Sequence, residues 1–296
     1  MYQCILKLSG LVALASALAL NNLPSPVHQK RGGAPDDFPD IEAIMSVDPS
    51  TFKSYPASAM PYRNGSLSNS NSNSTETTAE RWTCNPQAEF TWGDDHEIDG
   101  PGIFITNADT GTDTSPQHDG GGYRSFYVYH NLCDAVPYKY IWVRARETRF
   151  VSLPPQFEGR VTRGVDAWNL AGAPQTLASW LELTVDEGGW AWTDLSLIRG
   201  CDGGAVVWAT DGSRAWKGFA HPILEGAPAE AYARKDDGAW ILRESTNWDG
   251  TINEAVRDWE LLQVGADYAF VDDYHGWPII TSTDGRLGTF WPAGRP

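Results

Sequence analysis

Two neighbouring stretches, Trp180-Leu181-Glu182-Leu183-Thr184-Val185 and Trp192-Thr193-Asp194-Leu195-Ser196-Leu197-Ile198, decide how this chain is read. Both alternate with the two-residue period of a half-buried strand. Leu181, Leu183 and Val185 share one face with Thr193, Leu195 and Leu197. Trp180, Glu182 and Thr184 share the other with Trp192, Asp194 and Ser196. Asp186-Glu187-Gly188-Gly189 supplies the turn. A three-residue loop at Glu187-Gly188-Gly189 keeps the faces in phase and sets Glu182 opposite Asp194 and Thr184 opposite Trp192. A slip of one residue would mix apolar and polar faces, so the register is well determined. Two carboxylates facing each other repel. They call for a proton, a guanidinium or a polar ligand, unless both are simply solvated on an exposed face, where most Asp and Glu reside.

The outward reading is β throughout most of the remaining chain. Arg81–Trp92, Gly102–Thr106, Phe126–Tyr129, Tyr138–Val143, Phe157–Gly164, Ala205–Thr210 and Arg286–Trp291 have strand character. The charged run from Arg144 to Arg149 suits an exposed sheet edge. Helix is expected only late in the chain, at Ala227–Lys235 and after a capping box at Thr251-Ile252-Asn253-Glu254. There Ile252, Ala255, Val256, Trp259 and Leu262 follow helical spacing.

Residues 1–20 read as a signal peptide, since Leu11–Leu20 is apolar but too short to span a bilayer. Residues 21–80 read as a disordered Ser/Asn-rich leader, with a dibasic processing site at Lys30-Arg31 and N-glycosylation sequons at Asn64 and Asn73. Residues 81–296 are expected to form a single β-rich domain. The mature protein is therefore expected to be secreted, extracellular or in a cell wall. Outside the signal segment, Cys84, Cys133 and Cys201 allow one disulfide and one thiol, and the sequence does not choose the pair.

The net charge of −16 excludes a nucleic-acid or anionic-membrane partner. Fourteen tryptophans are many for 296 residues; some are expected in the core, and any exposed beside polar groups suit sugar stacking or a protein interface. No Gly-x-Ser-x-Gly elbow, His-Glu-x-x-His or phosphate-cradling loop is present. The acidic segments Asp94–Glu97 and Asp109–Asp119 match no metal loop. No cofactor and no metal site is expected.

From Tyr123 onward the chain resembles a divergent, cysteine-poor, fungal-type thaumatin-like protein. The likeness rests on Phe126–Cys133, Gly159-Arg160-Val161-Thr162-Arg163, Leu177–Thr184, Trp192–Gly200 and Thr289-Phe290-Trp291-Pro292. It departs at Arg199, where the family has Asp, and at Trp291, where it has its closing cysteine. The resemblance implies a flattened β-sandwich with a small helix-containing lobe and an acidic cleft between them. It implies binding of cell-wall β-1,3-glucan, with weak hydrolysis in some members. Arg163 matches the cleft Arg and Glu182 the cleft Glu. Asp194 lies in the matching strand, and Asp202 is a substitute for the acid replaced by Arg199. The expected ligand contacts are thus Arg163, Glu182, Asp194, Asp202, Trp180 and Trp192. Glu182 and Asp194 are the catalytic pair if the protein is a glycoside hydrolase. The alternative partner is a host or secreted protein bound by an effector.

Overall fold

The computed structural model describes residues 83–93, 100–109 and 122–295. The expected signal peptide, leader, dibasic pair, both sequons and most of the acidic segments at Asp94–Glu97 and Asp109–Asp119 lie outside the described residues.

The opening hairpin forms as its alternation requires. Strand β7 (Trp180–Val185) pairs antiparallel with β8 (Ala191–Ser196), with Glu182 opposite Asp194 and Thr184 opposite Trp192. The Asp186 N–H donates to the Trp190 carbonyl at 2.9 Å, closing a loop over residues 187–189. Gly189 takes φ +81°, the left-handed position such a loop needs and which a Cβ disfavours. Leu181, Leu183, Val185, Leu195 and Leu197 all point into one core.

Five further strands extend this hairpin into a sheet of order β1-β4-β3-β6-β7-β8-β13. They are β1 (Glu89–Thr91), β3 (Tyr123–His130), β4 (Lys139–Arg144), β6 (Glu158–Gly164) and β13 (Ile280–Ser282). A second sheet consists of β2 (Gly102–Asn107), β5 (Thr148–Ser152), β9 (Ala205–Ala209), β10 (Trp216–Phe219) and β14 (Arg286–Trp291). Its order is β10-β9-β14-β2-β5. Strand β14 inserts parallel to β2 and antiparallel to β9, so an early and a late strand lie side by side at the middle of this sheet. Ile103, Ile105, Val207 and Leu287 from the second sheet share a core with Phe126, Val161 and Leu195 from the first. The described chain is mainly β, as the alternation leads one to expect, and is consistent with the β-sandwich that the resemblance implies.

Several local expectations are corrected. The strand expected over residues 81–92 shortens to β1. The charged run at 144–149 carries the chain from the last residue of β4 into β5, the edge strand of the second sheet, and there the expectation of a sheet edge holds. Ala227–Lys235 does not form a helix. It makes a 3-10 turn at Ala229–Ala231 and then β11 (Tyr232–Arg234), which pairs with β12 (Trp240–Leu242). Pairing with β12 satisfies backbone groups that a one-turn helix would leave open.

After the short helix α1 (Asp166–Asn169), the main helix is α2 (Glu254–Gln263), which has Asn253 at its N-cap and no side-chain cap bond. The expected Thr251 hydroxyl is drawn instead to Asp249 Oδ1 at 2.7 Å. Leu262, expected inside, is 59% exposed, while Glu260 is fully buried. Cys84 and Cys133 form the disulfide, and Cys201 is a buried thiol pushed up to about 12 by burial.

Candidate functional site

The polar face of β7 and β8 is the outer face of the first sheet. Its register with its neighbours sets a row across four strands: Tyr129 pairs with Arg160, Arg160 with Glu182, and Glu182 with Asp194. Arg160 is almost wholly covered. Its guanidinium carbon lies 4.0 Å from the Trp180 ring centre and 4.5 Å from that of Tyr129. Its Nη1 donates to Asp134 Oδ1 at 2.6 Å, whereas Nε and Nη2 are buried without a hydrogen-bond partner.

Helix α1, which follows β6, approaches this face closely. A Cβ on Gly164 would strike the Asn169 amide, so glycine permits that contact. Asn169 Nδ2 donates to the Tyr129 hydroxyl at 3.0 Å, and Trp142 Nε1 to Asp166 Oδ2 at 3.0 Å. Burial pushes the Tyr129 phenol up to about 12, so it stays neutral.

The two acids differ in surroundings. Glu182 is half-buried. Loss of water raises its pKa, and Arg160, a hydrogen bond from Ser196, and Arg199 oppose that rise. Asp194 is 8% exposed, and its Oδ1 is buried with no hydrogen-bond partner. Burial, and then repulsion from Glu182, hold its pKa well above the ordinary carboxylate range. Both carboxyls are thus shifted toward the protonated form, Asp194 the more strongly because no cation opposes its burial. A neutral acid can donate a hydrogen bond, whereas an ionised one only accepts.

The other anticipated residues separate from this pair. Trp180 is 5% exposed and donates Nε1 to the Thr176 carbonyl at 2.9 Å, so it packs on Arg160 and offers no open stacking face. Trp192 is half-buried, with Nε1 on Asp186 Oδ2 at 3.1 Å. Arg163, three residues after Arg160, lies on the core side of β6. Its Nε faces Asp202 Oδ1 at 3.3 Å, and its other nitrogens reach the Gly204 and Pro292 carbonyls. Lys235 Nζ meets Asp202 Oδ2 at 3.2 Å. The structure therefore assembles Glu182 and Asp194 but places Arg163 and Asp202 in a buried ion cluster under Trp291, whose ring centre is 5.2 Å from the Arg163 guanidinium.

Arg160, Ser196 and Arg199 lie beside the acids without being among the contacts expected from the sequence. Extending the hairpin alternation into the Gly-Arg-Val-Thr-Arg run would have put Arg160 on the acid face and Arg163 behind it. Arg199 is 7% exposed, donates Nη1 to the Thr246 carbonyl at 2.9 Å, and carries Asp273 and Glu244 in its field. Among the described residues no three His, Cys, Asp or Glu side chains converge to hold a metal ion, and no helix is long and apolar enough to cross a membrane.

No protein-family model matches the chain, and no curated protein matches it. Among solved structures it is similar to a laminaripentaose-producing β-1,3-glucanase in complex with laminaritetraose. The identity is 14% and the TM-score 0.31, over 49% of this chain and 52% of that one. The chain thus spans about half the length of that relative, and a likeness this distant does not bear on the site.

Proposed function

We propose that this is a secreted carbohydrate-binding protein of thaumatin-like type, which takes a neutral cell-wall β-glucan at the Glu182–Asp194 pair. The observation that supports it is the register that sets Glu182 opposite Asp194 on one sheet face, with Asp194 Oδ1 left without a hydrogen-bond partner and Ser196 beside Glu182. A sugar hydroxyl is both donor and acceptor, so it satisfies a carboxyl in either protonation state. The guanidiniums of Arg160 and Arg199 offset negative charge at Glu182, which favours a ligand without charge of its own. Retention on curdlan, compared with chitin, cellulose and host extract, tests the reading. Wild type is expected on curdlan, with Glu182→Gln washing through. Retention only from host extract would replace the glucan with a protein partner.

The strongly raised proton affinity of Asp194, directly opposite Glu182 with its two neighbouring guanidiniums, also favours a second reading, glycoside hydrolysis. That chemistry needs a general acid and a carboxylate base or nucleophile, and directly opposed strand positions bring β-carbons to about 4.5–5.5 Å. Release of reducing ends from laminarin, lost in Glu182→Gln, is the expected sign. Binding with no release at any pH would leave only the first reading.

A further inference from the structure

Beyond Ser196, strand β8 is tied to two loops that each present an indole. Leu197 N–H donates to the Phe270 carbonyl at 2.7 Å, and Phe270 N–H to that of Leu195 at 2.8 Å. Trp277 packs edge-on to Phe270, with 6.2 Å between ring centres, and is 58% exposed. In the second loop, the Arg199 guanidinium carbon lies 3.6 Å from the centre of the Trp248 ring, which is nevertheless 66% exposed. The turn holding Trp248 is well tied. Gly250 N–H donates to the Asn247 carbonyl at 2.9 Å, Asn247 N–H to that of Thr251 at 2.8 Å, and Asn253 Nδ2 to Asn247 Oδ1 at 3.1 Å.

Large indoles left in water but fixed from behind are preorganised for a partner with an apolar face and a polar rim. A pyranose ring has that shape: C–H groups on its faces and hydroxyls around its edge. The guanidinium behind Trp248, that of Arg199, is with Arg160 one of two whose positive charge acts on Glu182, so that platform adjoins the acid pair. Phe270, on which Trp277 rests, is bridged to Ser196, which bonds Glu182.

We infer that Trp248 and Trp277 are stacking platforms for further rings of an oligosaccharide whose hydroxyls are held at Glu182 and Asp194. The inference rests on the glucan reading and adds that the site takes an extended chain rather than a single sugar. Trp240 supplies the control. It is 51% exposed and also lies on a guanidinium, that of Arg234 at 5.0 Å, but on the β11–β12 ribbon.

Titration calorimetry with β-1,3-gluco-oligosaccharides, from the disaccharide to the hexasaccharide, tests it. Wild-type affinity is expected to rise with length. Trp248→Ala, and separately Trp277→Ala, should lose about tenfold on the hexasaccharide and little on the disaccharide. Trp248→Phe should recover part of that loss, and Trp240→Ala should match wild type. Melting curves confirm that each variant is folded. A wild-type length dependence in folded Trp248→Ala and Trp277→Ala would overturn the inference alone. An equal loss in Trp240→Ala would do the same. A wild type that binds no oligosaccharide of any length would overturn both the inference and the glucan reading.

Discussion

Asp202 and Asp194 are both aspartates buried within the same sandwich, yet they are treated oppositely. Asp202 has a guanidinium on one oxygen and an ammonium on the other, plus the Ser179 N–H at 3.4 Å. Its charge is fully matched inside the fold. Asp194 has no cation of its own, an orphaned Oδ1 and a second carboxyl opposite it. Burying a charge is tolerable only when it is paired, and otherwise the group keeps its proton. The first site is therefore closed on itself and structural. The second retains unspent hydrogen-bonding capacity, which is what a ligand site must have. Glu260 marks the extreme of the series, being fully buried in α2 with neither oxygen hydrogen-bonded.

Breaking the matched site should have the largest effect. Arg163→Met strands Asp202 with Lys235 alone and is expected to cost about 3–5 kcal/mol, read from urea unfolding. Glucan affinity of the folded protein should not change. A cost near zero would erase the distinction between the two aspartates.

Next in size is Glu260→Met, which removes a buried carboxyl without a partner at similar volume. It should stabilise the protein by roughly 1–3 kcal/mol near neutral pH. Cys201 is the ionisable neighbour of Glu260, and its neutral thiol gives the carboxyl no compensating charge. Destabilisation would show that an unseen bond holds this carboxyl.

The smallest effect sharpens the comparison through pH. Burial raises the folded pKa of Asp194, Glu182 and Glu260 above the unfolded values. The folded state then binds more protons than the unfolded chain, so its stability is full below about pH 4, the unfolded carboxyl range, and is lost as pH rises through the folded values. Asp194→Asn should reduce that slope and raise neutral-pH stability by about 1 kcal/mol. Thermal melting between acid and neutral pH measures it. A slope unchanged from wild type would mean that Asp194 is already ionised in the fold.

Much of this was legible from two-residue alternation. It placed the apolar face of β7 and β8, the three-residue turn and the Glu182–Asp194 register, because a buried face admits no slip. Alternation could not show that loop segment 165–179 lies against the other face, and so Trp180 was expected open but is covered. Arg163 was assigned to the site by resemblance, whereas its parity relative to Arg160 puts it in the core. The late helix kept its position and most of its expected face, with Val256 in the core and Trp259 packed against it, but not the end of that face. Glu260 is inside and Leu262 outside, since tertiary packing outweighed the apolar spacing. Ala227–Lys235 became a turn and a strand because β12, distant in local reading, offered a pairing edge. The Cys84–Cys133 pairing needed three-dimensional proximity that spacing alone does not encode.

The most direct test is carbon-13 NMR of the side-chain carboxyls, titrated with pH in the absence and presence of a β-1,3-gluco-oligosaccharide. Asp194 is expected to titrate above Glu182, and adding the sugar should move both of their resonances but not that of Asp202. Carboxyl signals of Glu182 and Asp194 that ignore the sugar at every pH, in a folded protein, would contradict the assignment of this pair as the binding site.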